Sequence, residues 1–96
     1  MKFIQIIEYT TTKPDEVQAA LDEFLAATGG SRPNTRASVT KDRDRPNTYL
    51  NIVEFPSYEV AMKNSESPEV KALSEKMMKL ADGPPTFRNL DVTFEE

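Results

Sequence analysis

The stretch Phe-Ile-Gln-Ile-Ile-Glu-Tyr at positions 3–9 narrows the choice of folds more than any other, because it is rich in β-forming residues and apolar on both faces. Read by alternation, Ile4 and Ile6 point one way, while Phe3, Ile7 and Tyr9 point the other with Gln5 between them. Such a strand has to be covered twice. The chain offers only about two helices, and helices that follow strands gather on one face of a sheet. A second copy of the chain is therefore the expected cover for the other face, and a homodimer the expected state.

The remaining elements follow in order. Pro14 stands where a first helical residue belongs, and Asp15 and Glu16 suit the positive end of a helix. Val17, Leu21, Phe24, Leu25 and Thr28 then recur at helical spacing, and Gly29-Gly30 marks the stop. A loop over Ser31–Asn34 leads into an expected edge strand, Thr35–Thr40, and the charged run Lys41–Asn47 reads as a solvated hairpin turn. Tyr49–Phe55 is a second strand apolar on both faces. Ser57 is placed to cap a short helix with Val60, Ala61 and Asn64 inward, and Ser67-Pro68 to open a longer one. That helix carries the stripe Val70, Leu73, Met77, Leu80 and Ala81, with Met77 and Met78 read as packing residues, and Gly83 as its cap. A last strand is expected over Thr86–Phe94. The order βαββαβ specifies an α+β, ferredoxin-like domain over residues 1–96, with a four-stranded antiparallel sheet and its helices on one face.

Composition removes whole classes of chemistry. With no Cys and no His among 96 residues there is no thiolate nucleophile, no Ser-His triad and no imidazole ligand, so no metal site and no cofactor is expected. A net charge of −4 speaks against nucleic acid or an anionic membrane as partner. No apolar run approaches a membrane span or a secretory signal, and a cytoplasmic location is expected.

With Ile4, Ile6, Leu50, Ile52, Leu90 and Val92 assigned to the helices, the opposite face presents an aromatic lining with scattered polar groups. On it lie Phe3, Gln5, Ile7, Tyr9, Tyr49, Asn51, Val53, Phe55, Phe87, Asn89 and Asp91. This suits a planar aromatic ligand, with Gln5, Asn51 and Asn89 as hydrogen-bond partners. Tyr9, Tyr49 and Asp91 are the candidate proton-transfer groups. Arg36 is a candidate for holding a phenolate or carboxylate, and Asn64 a further candidate on the ligand. The three phenylalanines suit packing equally well.

The run from Asn47 through Glu54, Phe55, Asn64, Ser67, Pro68, Leu73 and Gly83 to Pro85, with Lys13-Pro14 earlier, resembles the antibiotic biosynthesis monooxygenase family of the dimeric α/β-barrel superfamily. The resemblance implies a homodimeric barrel with a ligand cavity and, in its quinone-forming members, cofactor-free oxidation of polycyclic phenols. Departures also show. Asn64 stands where many members carry His, and Ile7, Asn64 and Ser74 stand where the haem-degrading branch has Asn, Trp and His, so haem degradation is not implied. Three readings are open: a cofactor-independent monooxygenase on an aromatic or polyketide-like substrate, a non-catalytic ligand-binding or interaction module, and an isomerase or cyclase working by proton transfer.

Overall fold

The computed structural model describes residues 1–28 and 35–95. Its elements are β1 (Phe3–Thr10), α1 (Pro14–Thr28), β2 (Arg36–Lys41), β3 (Thr48–Phe55), α2 (Tyr58–Ser65), α3 (Pro68–Leu80) and β4 (Thr86–Asp91). All neighbouring strands are antiparallel, in the order β2-β3-β1-β4. This is the ferredoxin-like α+β arrangement expected from the sequence, with the second helical segment in two pieces. The Gly29-Gly30 stop and the loop over Ser31–Asn34 lie outside the described residues.

Local chemistry accounts for most element boundaries. The Ser57 and Ser67 side chains accept hydrogen bonds from the N–H groups of Val60 (3.3 Å) and Val70 (3.2 Å), so each helix begins with one otherwise unpartnered donor satisfied. Two endings differ from expectation. Helix α3 stops at Leu80 with Ala81 in extended conformation, its N–H still bonded to the Met77 carbonyl, so Gly83 is not its cap. Strand β4 ends at Asp91 rather than Phe94, although the Val92 N–H reaches the Lys2 carbonyl at 2.9 Å.

The phase of the sheet is the reverse of the sequence expectation. Phe3, Phe55 and Ala61 form a buried cluster with Val53 and Met62 packed against it, and the Tyr58 ring meets Phe3 edge-on at 5.4 Å. The aromatic face therefore lies beneath the helices. Ile4, Ile6, Leu50, Ile52 and Leu90 lie on the other face, which carries no helix among the described residues. Charge explains the choice. Glu8, Arg36, Glu54 and Arg88 share the phase of Ile4 and Ile6, and placing four charges beneath a helical layer would cost more than leaving isoleucines half-buried. On the open face they pair instead: Lys2 with Glu54 at 2.7 Å and with Glu95 at 2.8 Å, Arg88 with Glu8 at 3.7 Å.

The helical layer sits unevenly on the sheet. Helix α1 sends Val17, Ala20 and Phe24 inward, whereas α3 has no fully buried residue and packs chiefly against α1, with Lys76 and Glu23 paired at 2.6 Å. In α2 only Ala61 is buried. Val60, expected to face inward, is exposed, because Ala61 occupies the position directly over Phe3 and Phe55.

Candidate functional site

Beneath the start of α1 the sheet and helix enclose a half-open cavity of about 240 Å³. Its floor is Tyr9, Tyr49 and Val39 from three adjacent strands, and its wall is Pro14, Asp15, Val17, Gln18 and Leu21, with Thr11 at the junction. Register brings the floor together, since Tyr9 pairs directly with Tyr49 and Val39 with Asn51. The tyrosine rings stack with centroids 5.9 Å apart and planes 19° from parallel.

Tyr9 is almost wholly buried, at 4% exposure, and its hydroxyl donates to Asn51 Oδ1 at 3.2 Å. Burial pushes the phenol above its ordinary range, with the neighbouring Tyr49 adding to the shift, so Tyr9 stays protonated at neutral pH and is a donor there. With Asn51 Oδ1 committed to Tyr9, the amide nitrogen keeps two N–H donors for another partner. The arrangement is a stacked aromatic pair with a hydrogen-bonded phenol and amide beside it, which suits a planar ring bearing an oxygen.

The other sequence candidates fall in different places. Along β1 from the tyrosine pair come Ile7, flanked by Asn51 and Phe87, and then Gln5, whose Nε2 donates to Asn89 Oδ1 at 3.3 Å. These residues share the helix-facing side, but β4 is exposed along its length and Phe87 is 56% exposed. Val53 and Phe55 belong to the packed cluster under α2. Asp91 pairs with Phe3, six residues along β1 from Tyr9, a separation of roughly 20 Å at strand rise. It is not brought to the tyrosines, because the antiparallel register carries that end of β4 away from them. Arg36 pairs with Glu54 on the open face and does not enter the helix-covered side. Asn64 is partly buried in the last turn of α2, where its carbonyl accepts from the Ser67 N–H at 3.1 Å.

Sequence reasoning passed over Thr11, Asp15, Gln18 and Val39 as site residues. Helical spacing alone marked Val17 and Leu21, and what makes them cavity wall is the stand-off of α1 from the sheet. Among the described residues no cluster of three or more acidic side chains is placed to hold a metal ion, and no helix is long and apolar enough to cross a membrane.

No family model matches the sequence, and no curated protein is detectably similar to it in sequence. Solved structures are similar to it in shape. A Caulobacter crescentus protein provisionally named an antibiotic biosynthesis monooxygenase superposes with a TM-score of 0.85 at 14% identity, over 97% of this chain and 91% of that one. SnoaB from Streptomyces nogalater, a cofactor-independent oxygenase, gives 0.80 at 16% identity, over 98% and 95%. The Mycobacterium tuberculosis protein Rv0793 gives 0.80 at 16% identity, over 99% and 98%. At these identities the likeness is one of architecture, and the chain has the ferredoxin-like fold of proteins named antibiotic biosynthesis monooxygenases.

Proposed function

We propose that the chain binds a small planar aromatic or polyketide-like molecule on the Tyr9–Tyr49 surface and oxidises an anthrone-type phenol there with dioxygen, without a cofactor. The observation that carries this reading is the stacked tyrosine pair closed at its edge by the Tyr9–Asn51 hydrogen bond. The fold shared with SnoaB, a cofactor-independent oxygenase, supports it. A cavity of about 240 Å³ is smaller than sites for drug-sized ligands, roughly 300 Å³ and above. In this reading one or two rings sit over the tyrosines and the remainder extends along Ile7 towards Phe87, Gln5 and Asn89.

The chemistry asks little of the protein. The ring CH₂ of an anthrone, across the central ring from the ketone and conjugated to it through the fused arenes, loses a proton to give an aromatic oxyanion, which the Asn51 amide donors stabilise. The carbanion reduces dioxygen. One oxygen atom becomes the new carbonyl, and the other leaves as water with the two hydrogens of the CH₂. Asp15, the one carboxylate on the lining, is assigned as proton acceptor. The partner is a second copy, docked through the open face of Ile4, Ile6, Leu50, Ile52 and Leu90 rather than through the aromatic face.

The test is oxygen uptake with dithranol, an anthrone bearing two phenols. Asn51→Ala is expected to lower the rate by roughly 100-fold, the scale of one lost oxyanion donor, with the fold intact by circular dichroism. A second reading, a ligand-binding module without turnover, is favoured by the lining's single carboxylate in a chain that has no His. Saturable dithranol binding without oxygen uptake would select it, and product formed without oxygen would select an isomerase.

A further inference from the structure

Thr11 is the most buried polar residue described, at 1% exposure, and its hydroxyl is used twice. It donates to the Leu80 carbonyl at 2.8 Å, in the last turn of α3, and accepts from the Lys13 N–H at 3.0 Å, just before α1. Its own N–H donates to the Asn47 carbonyl at 2.9 Å, in the β2–β3 connection, where Asn47 takes a left-handed φ of 58°. The preceding Thr10 carbonyl accepts from the Asp82 N–H at 2.8 Å. One side chain thus joins the end of β1 to α3 and to the turn that leads into α1, while its backbone holds the hairpin loop. Elsewhere these two helices pack chiefly on each other rather than on the sheet. Thr11 also lines the cavity beside Tyr9.

From this juxtaposition we infer that Thr11 is a positioning residue: its hydroxyl sets the height of α1 and α3 above the Tyr9–Tyr49 floor, and so the width of the cavity. A hydroxyl is required because one atom has to donate to the Leu80 carbonyl of α3 and accept from the N–H of Lys13, the residue before α1, simultaneously. Valine has the same shape and does neither. Loss of the two bonds frees the wall formed by Pro14, Val17 and Leu21 to move off the tyrosines and admits water to the Tyr9 phenol. The inference rests on the ligand reading of the cavity only for its binding readout.

The experiment compares wild type, Thr11→Val and Thr11→Ser by two measurements below the melting transition. The first is dithranol affinity by calorimetry. The second needs no ligand: it follows phenolate absorbance with pH, where Tyr9, its phenol pushed up by burial, is expected to titrate late. Thr11→Val is expected to weaken dithranol about tenfold, the scale of one lost buried hydrogen bond, and to return the late phenol towards the ordinary tyrosine range. Thr11→Ser is expected to restore both. If wild type does not bind dithranol, the ligand reading fails and the phenol titration alone decides the role of Thr11. A late phenol unchanged in a folded Thr11→Val protein overturns the inference. Should that variant be unfolded, Thr11→Ala takes its place, and unfolding of both makes the residue structural and overturns it as well.

Discussion

Arg45 reaches back across the sheet to Glu8, Nη2 to Oε1 at 2.8 Å, while its Nε holds Asp42 Oδ2 at 2.8 Å. The charged hairpin is therefore fastened to the central strand. The hydrogen bond from Arg45 is the main reason that both carboxyls lie below their usual range. A carboxylate held low in the folded state contributes stability above the unfolded-state value, about 4, and loses it as pH falls through the folded value. Glu8→Gln is expected to melt below wild type at pH 7, with a narrower gap at about pH 3, below the unfolded-state value. Thermal melts at the two pH values check this, and an undiminished gap in acid would refute the assignment.

Three phenylalanines share the helix-facing side but not its burial. Phe3 and Phe55 are each 2% exposed, and Phe87 is 56% exposed. Alanine at either of the first two is expected to cost about 3–5 kcal/mol of unfolding free energy, and at Phe87 less than about 0.5 kcal/mol. Urea denaturation of the three variants gives the comparison directly. Equal losses would mean that Phe87 is covered in solution.

Ile52 and Val53 are neighbours in β3 with opposite duties. Ile52 pairs with Ile6 on the open face, whereas Val53 packs against the Phe3, Phe55 and Ala61 cluster. If the open face joins two copies, Ile52→Lys yields a folded monomer in sedimentation velocity, because a lysine buried in that interface is unpaired. Val53→Lys is expected instead to unfold the chain. A folded Ile52→Lys dimer would exclude this face as the contact.

The cap at Ser67 supports a helix with no buried anchor of its own. Ser67→Ala removes the acceptor for the Val70 N–H and is expected to cost about 1 kcal/mol. Protection of the Val70 amide from hydrogen exchange is expected to fall in the same variant, and unchanged protection would show that water replaces the cap without loss.

Much of this fold is written locally. Pro14, Ser57 and Ser67-Pro68 each act on the turn they begin, so helix starts were legible from a few residues at a time. Alternation also placed Tyr9, Tyr49 and Asn51 on one face. Which face the helices cover does not follow from alternation, because apolar residues occupy both phases, and the expected assignment is the reverse of the observed one. The phase of the charges, Glu8 and Arg88 with Arg36 and Glu54, carried the answer in the same residues. Asp91 was misplaced for another reason: its distance from the tyrosines depends on pairing register, which no local pattern states. The cavity wall from Thr11 to Leu21 depends on how far a helix stands from a sheet, a quantity set by long-range bonds such as that between Thr11 and Leu80.

Ile6 and Ile7 are consecutive, yet one lies on the open face and the other beneath the helices. The two surfaces of β1 are thus interleaved in a single word of text, with even positions spelling one and odd positions the other. Point substitutions can revise either spelling while leaving its counterpart intact, so the helix-covered surface and the open surface are free to diversify separately. Insertion or deletion of one residue in β1 exchanges the two spellings at once. Descendants of such a strand are therefore expected to vary freely in letters and hardly at all in length.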